Sequence, residues 1–174
     1  MKRIVLALLF TVVTVPAFAQ DPANNHEKKG FWFSLGGGVG SLGCSDCGSR
    51  ETGFSGGLSL GGTINEKLLI GVGTTGWAKS VEGETLSLGT FDFRVRFYPV
   101  KNNGFHINGG VGLASVSFAG ESESGVGVLV GVGYDVRMGK NRKWSLTPYW
   151  NGIGMSFDGG DANFGQIGLA FTIH

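Results

Sequence analysis

A basic excess, an apolar run long enough for a membrane helix, and histidine beyond three positions are all missing from this chain of 174 residues. Of its 14 lysines and arginines, Lys2 and Arg3 fall in an N-terminal leader, which leaves 12 basic residues against 13 acidic ones and a net charge of −1. That balance makes no polyanion-binding face, so nucleic acid is excluded as a partner. The one sustained apolar run, Ile4 to Val15, is about a dozen residues, too short for a span of about 20. Cysteine occurs only at Cys44 and Cys47, too sparse for a disulfide framework or a cysteine-built metal centre.

What is present first is a leader. Lys2 and Arg3, the apolar run and Ala17-Phe18-Ala19 before Gln20 read as a secretory signal peptide over residues 1–19 with a small-x-small cleavage site. Residues 20–29 form a short periplasmic tail, and residues 30–174 are enough for one compact domain or one small barrel. Glycine is present at 33 positions and proline at 4, against a usual glycine share of about 7%. Disorder is the bland account of such an excess, but here glycine alternates with Val, Leu, Ile and Phe. Glycine on one face of a strand leaves room inside a narrow barrel.

Eight strands follow from a period of two. In the first, Phe31, Phe33, Leu35 and Val39 alternate with Ser34, Gly36, Gly38 and Gly40; the second carries Phe54, Leu58 and Leu60, and the third Leu68, Ile70 and Val72. The fourth sets Phe91, Phe93, Val95 and Phe97 against Asp92, Arg94 and Arg96, and Pro99 ends it for want of a ladder donor. The fifth sets Phe105, Ile107, Val111 and Leu113 against His106 and Asn108, and the sixth Val126 to Val136 against Gly127, Gly131, Gly133, Asp135 and Arg137. In the seventh, Trp144, Leu146 and Trp150 face outward, but Ile153, Met155 and Phe157 are out of phase, which calls for a bulge near Gly152. The eighth alternates Ile167, Leu169, Phe171 and Ile173 with Gln166, Gly168, Ala170 and Thr172. An even count lets the last strand pair with the first and removes both sheet edges.

Alternation does not say whether the apolar face meets lipid or a protein core, so a soluble secreted ligand-binding barrel competes with a membrane barrel. Aromatics gather at strand ends, with Phe31, Trp32, Phe97, Tyr98, Phe105, Tyr134 and Trp144 at one rim and Phe54, Trp77, Phe118, Phe157 and Phe164 at the other. Membrane barrels carry girdles there. The stripes suit the roughly 9–11 tilted residues that cross a bilayer, and the opposite face, rich in Gly, Ser and Ala, suits a cramped lumen better than a solvated exterior. The fold class is therefore all-β, an eight-stranded antiparallel up-and-down transmembrane β-barrel.

With its leader, eight hairpin-linked strands and alternating terminal strand, the sequence resembles the OmpA/OmpX-like outer-membrane β-barrel domain family over about residues 30–174. The resemblance implies an integral protein of a Gram-negative outer membrane, in contact with lipid and lipopolysaccharide and inserted by the barrel-assembly machinery. Family members often end on an aromatic residue which that machinery reads; here Phe171 and Ile173 keep the apolar alternation, and the last residue is His174.

Few residues carry chemistry. In an exported chain Cys44-Ser45-Asp46-Cys47 suggests a local disulfide staple in the first outer loop; a redox pair or a zinc half-site lacks supporting context. Asp92, Arg94, Arg96, His106, Asn108, Asp135, Arg137, Tyr149 and Gln166 fall on the lumen face. Charges in a narrow interior need partners, so Asp135 is expected to pair with one of the arginines in a polar plug; a catalytic or conducting site is the alternative, although an eight-stranded barrel is normally filled by its side chains.

A lipid-modifying enzyme needs a nucleophilic Ser and a His beside the outer rim. The histidines are His26, His106 and His174, and strand seven reads Pro148-Tyr149-Trp150-Asn151-Gly152 with no His-x-Ser. Gly36-Gly37-Gly38 lies within a strand, so it is no phosphate loop. The outer loops, at 43–52, 79–85, 119–125 and 158–163, lack the long insertions of a dedicated adhesin. Their acids Glu82, Glu84, Glu121, Glu123, Asp158 and Asp161 read as solvated charges more readily than as a divalent-cation site. The sequence therefore points to a monomeric structural or surface-interaction barrel with no catalytic, cofactor or metal residues. A lipid-modifying enzyme with an unrecognised site and the soluble ligand-binding barrel remain the alternatives.

Overall fold

A computed structural model describes residues 30–44, 48–81, 83–101, 103–138 and 143–174. The predicted leader and tail, with His26, as well as Cys47, Glu82 and the predicted basic turn at 140–142, lie outside the described residues. Among the described residues nine strands run in order: β1 (Phe31–Cys44), β2 (Glu51–Asn65), β3 (Leu68–Val81), β4 (Glu84–Phe97), β5 (Phe105–Phe118), β6 (Glu121–Tyr134), β7 (Val136–Met138), β8 (Trp144–Phe157) and β9 (Gly160–Ile173).

Each strand pairs antiparallel with its neighbour, and β1 pairs with β9 from Phe33↔Ile173 to Cys44↔Ala162, so the sheet closes on itself. β6 and β7 form a single stave. Both pair with β8 in one continuous register, from Val126↔Ser156 through Gly133↔Tyr149 to Val136↔Leu146. Asp135 between them still donates its backbone N–H to the Gly104 carbonyl at 2.9 Å. The molecule is thus an eight-staved antiparallel barrel with no exposed sheet edge.

Most strands are 14 residues long. At about 3.3 Å per residue and a tilt near 40° they rise about 35 Å, beyond the roughly 25 Å apolar band of such barrels. The excess lies at the end opposite the termini, the distal end, where three of the predicted loops prove to be mostly strand. β5 and β6 are joined by Ala119-Gly120 alone, and β8 and β9 by Asp158-Gly159. Ala119 and Gly120 both have positive φ, 51° and 86°, as a two-residue hairpin turn with the twist of its strands requires. Glu84, Glu121, Glu123 and Asp161 accordingly lie on strands.

The outer wall is apolar, with Phe91, Val111, Leu113, Val128, Val130 and Leu169 all exposed. This excludes the soluble alternative, in which that face would be a core. The seventh predicted strand needs correction. β8 pairs with β9 without a shift from Trp144↔Ile173 to Phe157↔Gly160, so there is no bulge at Gly152. Ile153 and Met155 are out of phase because they point inward, where both are buried. Among the described residues the one register shift is between β2 and β3 at Thr63/Asn65.

The girdles also need correction. Phe31, Phe97, Phe105 and Trp144 at the proximal rim and Phe54 and Phe118 at the distal one are exposed, but Trp32, Tyr98, Trp77 and Phe164 are buried. Each of these four has the parity of its strand's lumen face, and the indole N–H groups of Trp32 and Trp77 donate to the Ile70 and Gly40 carbonyls at 3.2 and 3.1 Å.

Candidate functional site

The lumen is built in two layers, polar toward the termini and apolar toward the distal end. Pleating of β4 carries Asp92, Arg94 and Arg96 inward on alternate residues. Arg94 forks onto Asp92, with Nε donating to Oδ1 at 2.8 Å and Nη2 to Oδ2 at 2.7 Å, and Nη2 also donates to Thr75 Oγ1 at 2.9 Å. Thr90 donates to the same carboxylate at 3.2 Å. Arg96 donates from Nε to Asn108 Oδ1 at 3.1 Å and stacks 4.9 Å from the Trp32 ring centre. Glycine makes this arrangement fit: a Cβ at Gly73 would come 2.7 Å from the Arg94 guanidinium carbon, and one at Gly110 2.7 Å from Asp92 Oδ1.

Asp135 centres a second cluster at the proximal rim. Its Oδ2 accepts from the Tyr98 hydroxyl at 2.7 Å and lies 3.2 Å from His174 Nε2; its Oδ1 accepts from Thr147 at 2.8 Å and lies 3.7 Å from His106 Nδ1. His174, one residue past β9, is turned into the lumen because the alternation that sends Ile173 outward sends the next side chain in. Burial pulls its imidazole below the ordinary histidine range, against the opposing pull of Asp135.

Of the residues assigned from sequence to the lumen face, Asp92, Arg94, Arg96, His106, Asn108, Asp135 and Gln166 are buried, and Arg137 and Tyr149 half-buried. The structure puts Asp92, Arg94, Arg96 and Asn108 in the first cluster and His106 and Asp135 in the second, leaves Tyr149 and Gln166 on the gap between them, and corrects the pairing. The arginine-bound acid is Asp92, which shares a strand face with Arg94 two residues away; Asp135 binds Tyr98, Thr147 and His174 instead. Sequence reasoning missed Trp32, Thr75, Tyr98, Thr147 and His174 as members. For Tyr98 the signal was its parity with Arg94 and Arg96.

Chemically the site is a set of hydrogen-bonded charges and hydroxyls, with Arg96 Nη1 and Gln166 Oε1, beside the gap they line, left without a hydrogen-bond partner among the described residues. Tyr98 and Thr147 donate directly to Asp135 instead of through an imidazole, which is the reverse of a nucleophile–base–acid relay. Among the described residues no group of three His, Cys, Asp or Glu is placed to hold a metal. Between the clusters a gap of about 40 Å³ is lined by Arg94, Arg96, Asn108, Tyr149 and Gln166.

The apolar layer above was not read from the sequence. Leu42, Trp77, Leu88, Ala114, Leu129, Ile153, Met155 and Phe164 pack as one buried cluster that seals the barrel. The signal was available in β6, where Leu129 stands between Gly127 and Gly131 on the small-residue face. At the distal rim Lys79 pairs with Glu51, and Cys44 is disulfide-bonded. Arg50 clips β1 to β9 on the outer wall, donating to Ser41 Oγ at 3.0 Å and Asn163 Oδ1 at 2.8 Å.

Comparison with known proteins agrees with this architecture. A family model described as "Outer membrane protein beta-barrel domain" matches residues 5–174. Among solved structures the chain is similar to Neisserial surface protein A (NspA), with a TM-score of 0.61 at 19% identity over 82% of this chain and 96% of that one. It is also similar to Ail, the attachment invasion locus protein of Yersinia pestis, with a TM-score of 0.60 at 9% identity over 83% of this chain and 99% of that one. At such identities the likeness is one of fold. No curated protein matches the chain.

Proposed function

The chain belongs to the outer membrane protein beta-barrel domain family, and from that premise we propose that it is a non-catalytic barrel with a structural or surface-interaction role and a plugged lumen. It is integral to the bacterial outer membrane. An even number of staves puts both termini at one end, and in this reading that end faces the periplasm, from which the exported chain is inserted, while the distal end faces the cell exterior. The observation that carries the reading is the filling of the lumen. The Asp92–Arg94 pair and the Asp135 cluster cross the polar layer, the gap between them is about 40 Å³, and the Trp77 layer closes the apolar one. A hydrated ion does not pass such a bore.

Its working contacts are therefore on its surfaces. The apolar wall meets lipid, the strand ends above the membrane meet lipopolysaccharide, and the alternating β9 is presented to the barrel-assembly machinery, with the protein acting as a monomer. The test is a planar bilayer recording with the refolded protein, together with mass spectrometry of lipid A from expressing cells. The expected result is no stepwise conductance and unaltered lipid A; ion steps would overturn the plug, and loss of acyl groups the non-catalytic reading.

A further inference from the structure

Above the sealed layer the barrel opens into a half-open cup at the distal end. Its cavity is about 310 Å³, at the lower end of the range for small-molecule sites. Leu42, Leu86, Leu88, Val116, Phe157 and Ala162 line it from five strands. Leu86, Val116, Phe157 and Ala162 are only partly buried, although they have lumen-face positions and pack against the closed layer below. Apolar side chains held around an open space of this size leave surface in water that a ligand can cover, at about 25 cal/mol per Å².

The rim decides the class of ligand. Its carboxylates, Glu51, Glu123 and Asp161, are all engaged: Glu51 pairs with Lys79, Glu123 accepts the Gly159 backbone N–H at 2.9 Å, and Asp161 also has a partner. Carboxylates at the entrance repel anions, and all three are already engaged, so no charged headgroup is called for. We infer that the distal cup is a binding site for a small, uncharged apolar molecule taken up from the external medium. The Trp77–Phe164 layer beneath makes the cup a dead end, so the site retains its ligand without passing it through the lumen. This goes beyond the structural role proposed above, and binding is tested independently of it.

The experiment is methyl NMR of the full barrel in lipid nanodiscs, with Ile, Leu and Val methyls labelled and toluene as the probe. Val128, Val130 and Leu169 on the outer wall report simple partitioning into lipid. The inference expects saturable shifts at Leu86, Leu88 and Val116 while the wall methyls drift without saturating. In Ala162→Phe, which fills the cup from β9, the saturable shifts at Leu86 and Val116 are lost. Val116→Phe fills it from β5 and serves where the first variant does not show the heat-dependent gel migration of a folded barrel. Mouth methyls that do not saturate in the unaltered protein, or that saturate equally in a folded filled variant, overturn the site.

Discussion

Asp92 and Arg94 are both buried and satisfy each other through two parallel hydrogen bonds. Their value to the fold is best seen by removing one of them. Asp92→Ala leaves a guanidinium unpaired in the lumen and is expected to cost about 3–5 kcal/mol, whereas Asp92→Ala with Arg94→Leu recovers much of that loss because no buried charge remains. Equilibrium urea unfolding in lipid vesicles, followed by tryptophan fluorescence, gives both values. A double variant no more stable than the single one would show that the arginine is solvated or otherwise neutralised. The parity rule that identified these residues works one side chain at a time. It failed for Trp32, Trp77, Tyr98 and Phe164 because aromaticity near a strand end was allowed to override parity.

The connection between β1 and β2 holds Cys44 at its start, and Cys47 lies outside the described residues. We propose that the disulfide of Cys44 is closed by Cys47, the only other cysteine in the chain. A loop of about four residues gives little chain entropy to a cross-link, since that contribution grows with loop length. The staple therefore shapes the connection without holding the barrel. The expectation is that a thiol assay on the native protein finds no free cysteine, and that reductant frees two thiols while the heat-dependent gel shift persists. Two reactive thiols before reduction would refute the staple. Among the elements, β8 was the hardest to read, because its apolar face switches: Trp144, Leu146 and Trp150 point outward, whereas in the distal half Ile153 and Met155 point inward opposite Gly152, Gly154 and Ser156. Its register is fixed by β6 and β9 on either side, and neither constraint is visible within the strand's own sequence.

Closure of the whole barrel brings its last residue into the first turn of the lumen, where His174 meets Asp135 with His106, Tyr98, Arg96 and Arg137 nearby. The depressed imidazole favours the neutral form in the fold. Its contribution is therefore present above the ordinary histidine range and is lost as pH falls through the lowered value. Unfolding midpoints in urea should fall more steeply on acidification from pH 7 to pH 5 for the natural chain than for His174→Gln; parallel profiles would show that His174 titrates as it does in the unfolded chain. The sequence alone determined the class of molecule. A two-residue period repeated eight times, with glycine opposite aliphatics, specifies an eight-stranded barrel because period and parity are local properties of a strand, and the small-residue face together with the aromatics at the strand ends turned its apolar face toward lipid. Tertiary structure decided which acid met which base, that the lumen divides into a polar layer and an apolar layer, and that the latter ends in an open cup. Those depend on the stagger of strands around a closed cylinder, which sets the height at which each inward side chain meets partners from strands far away in sequence.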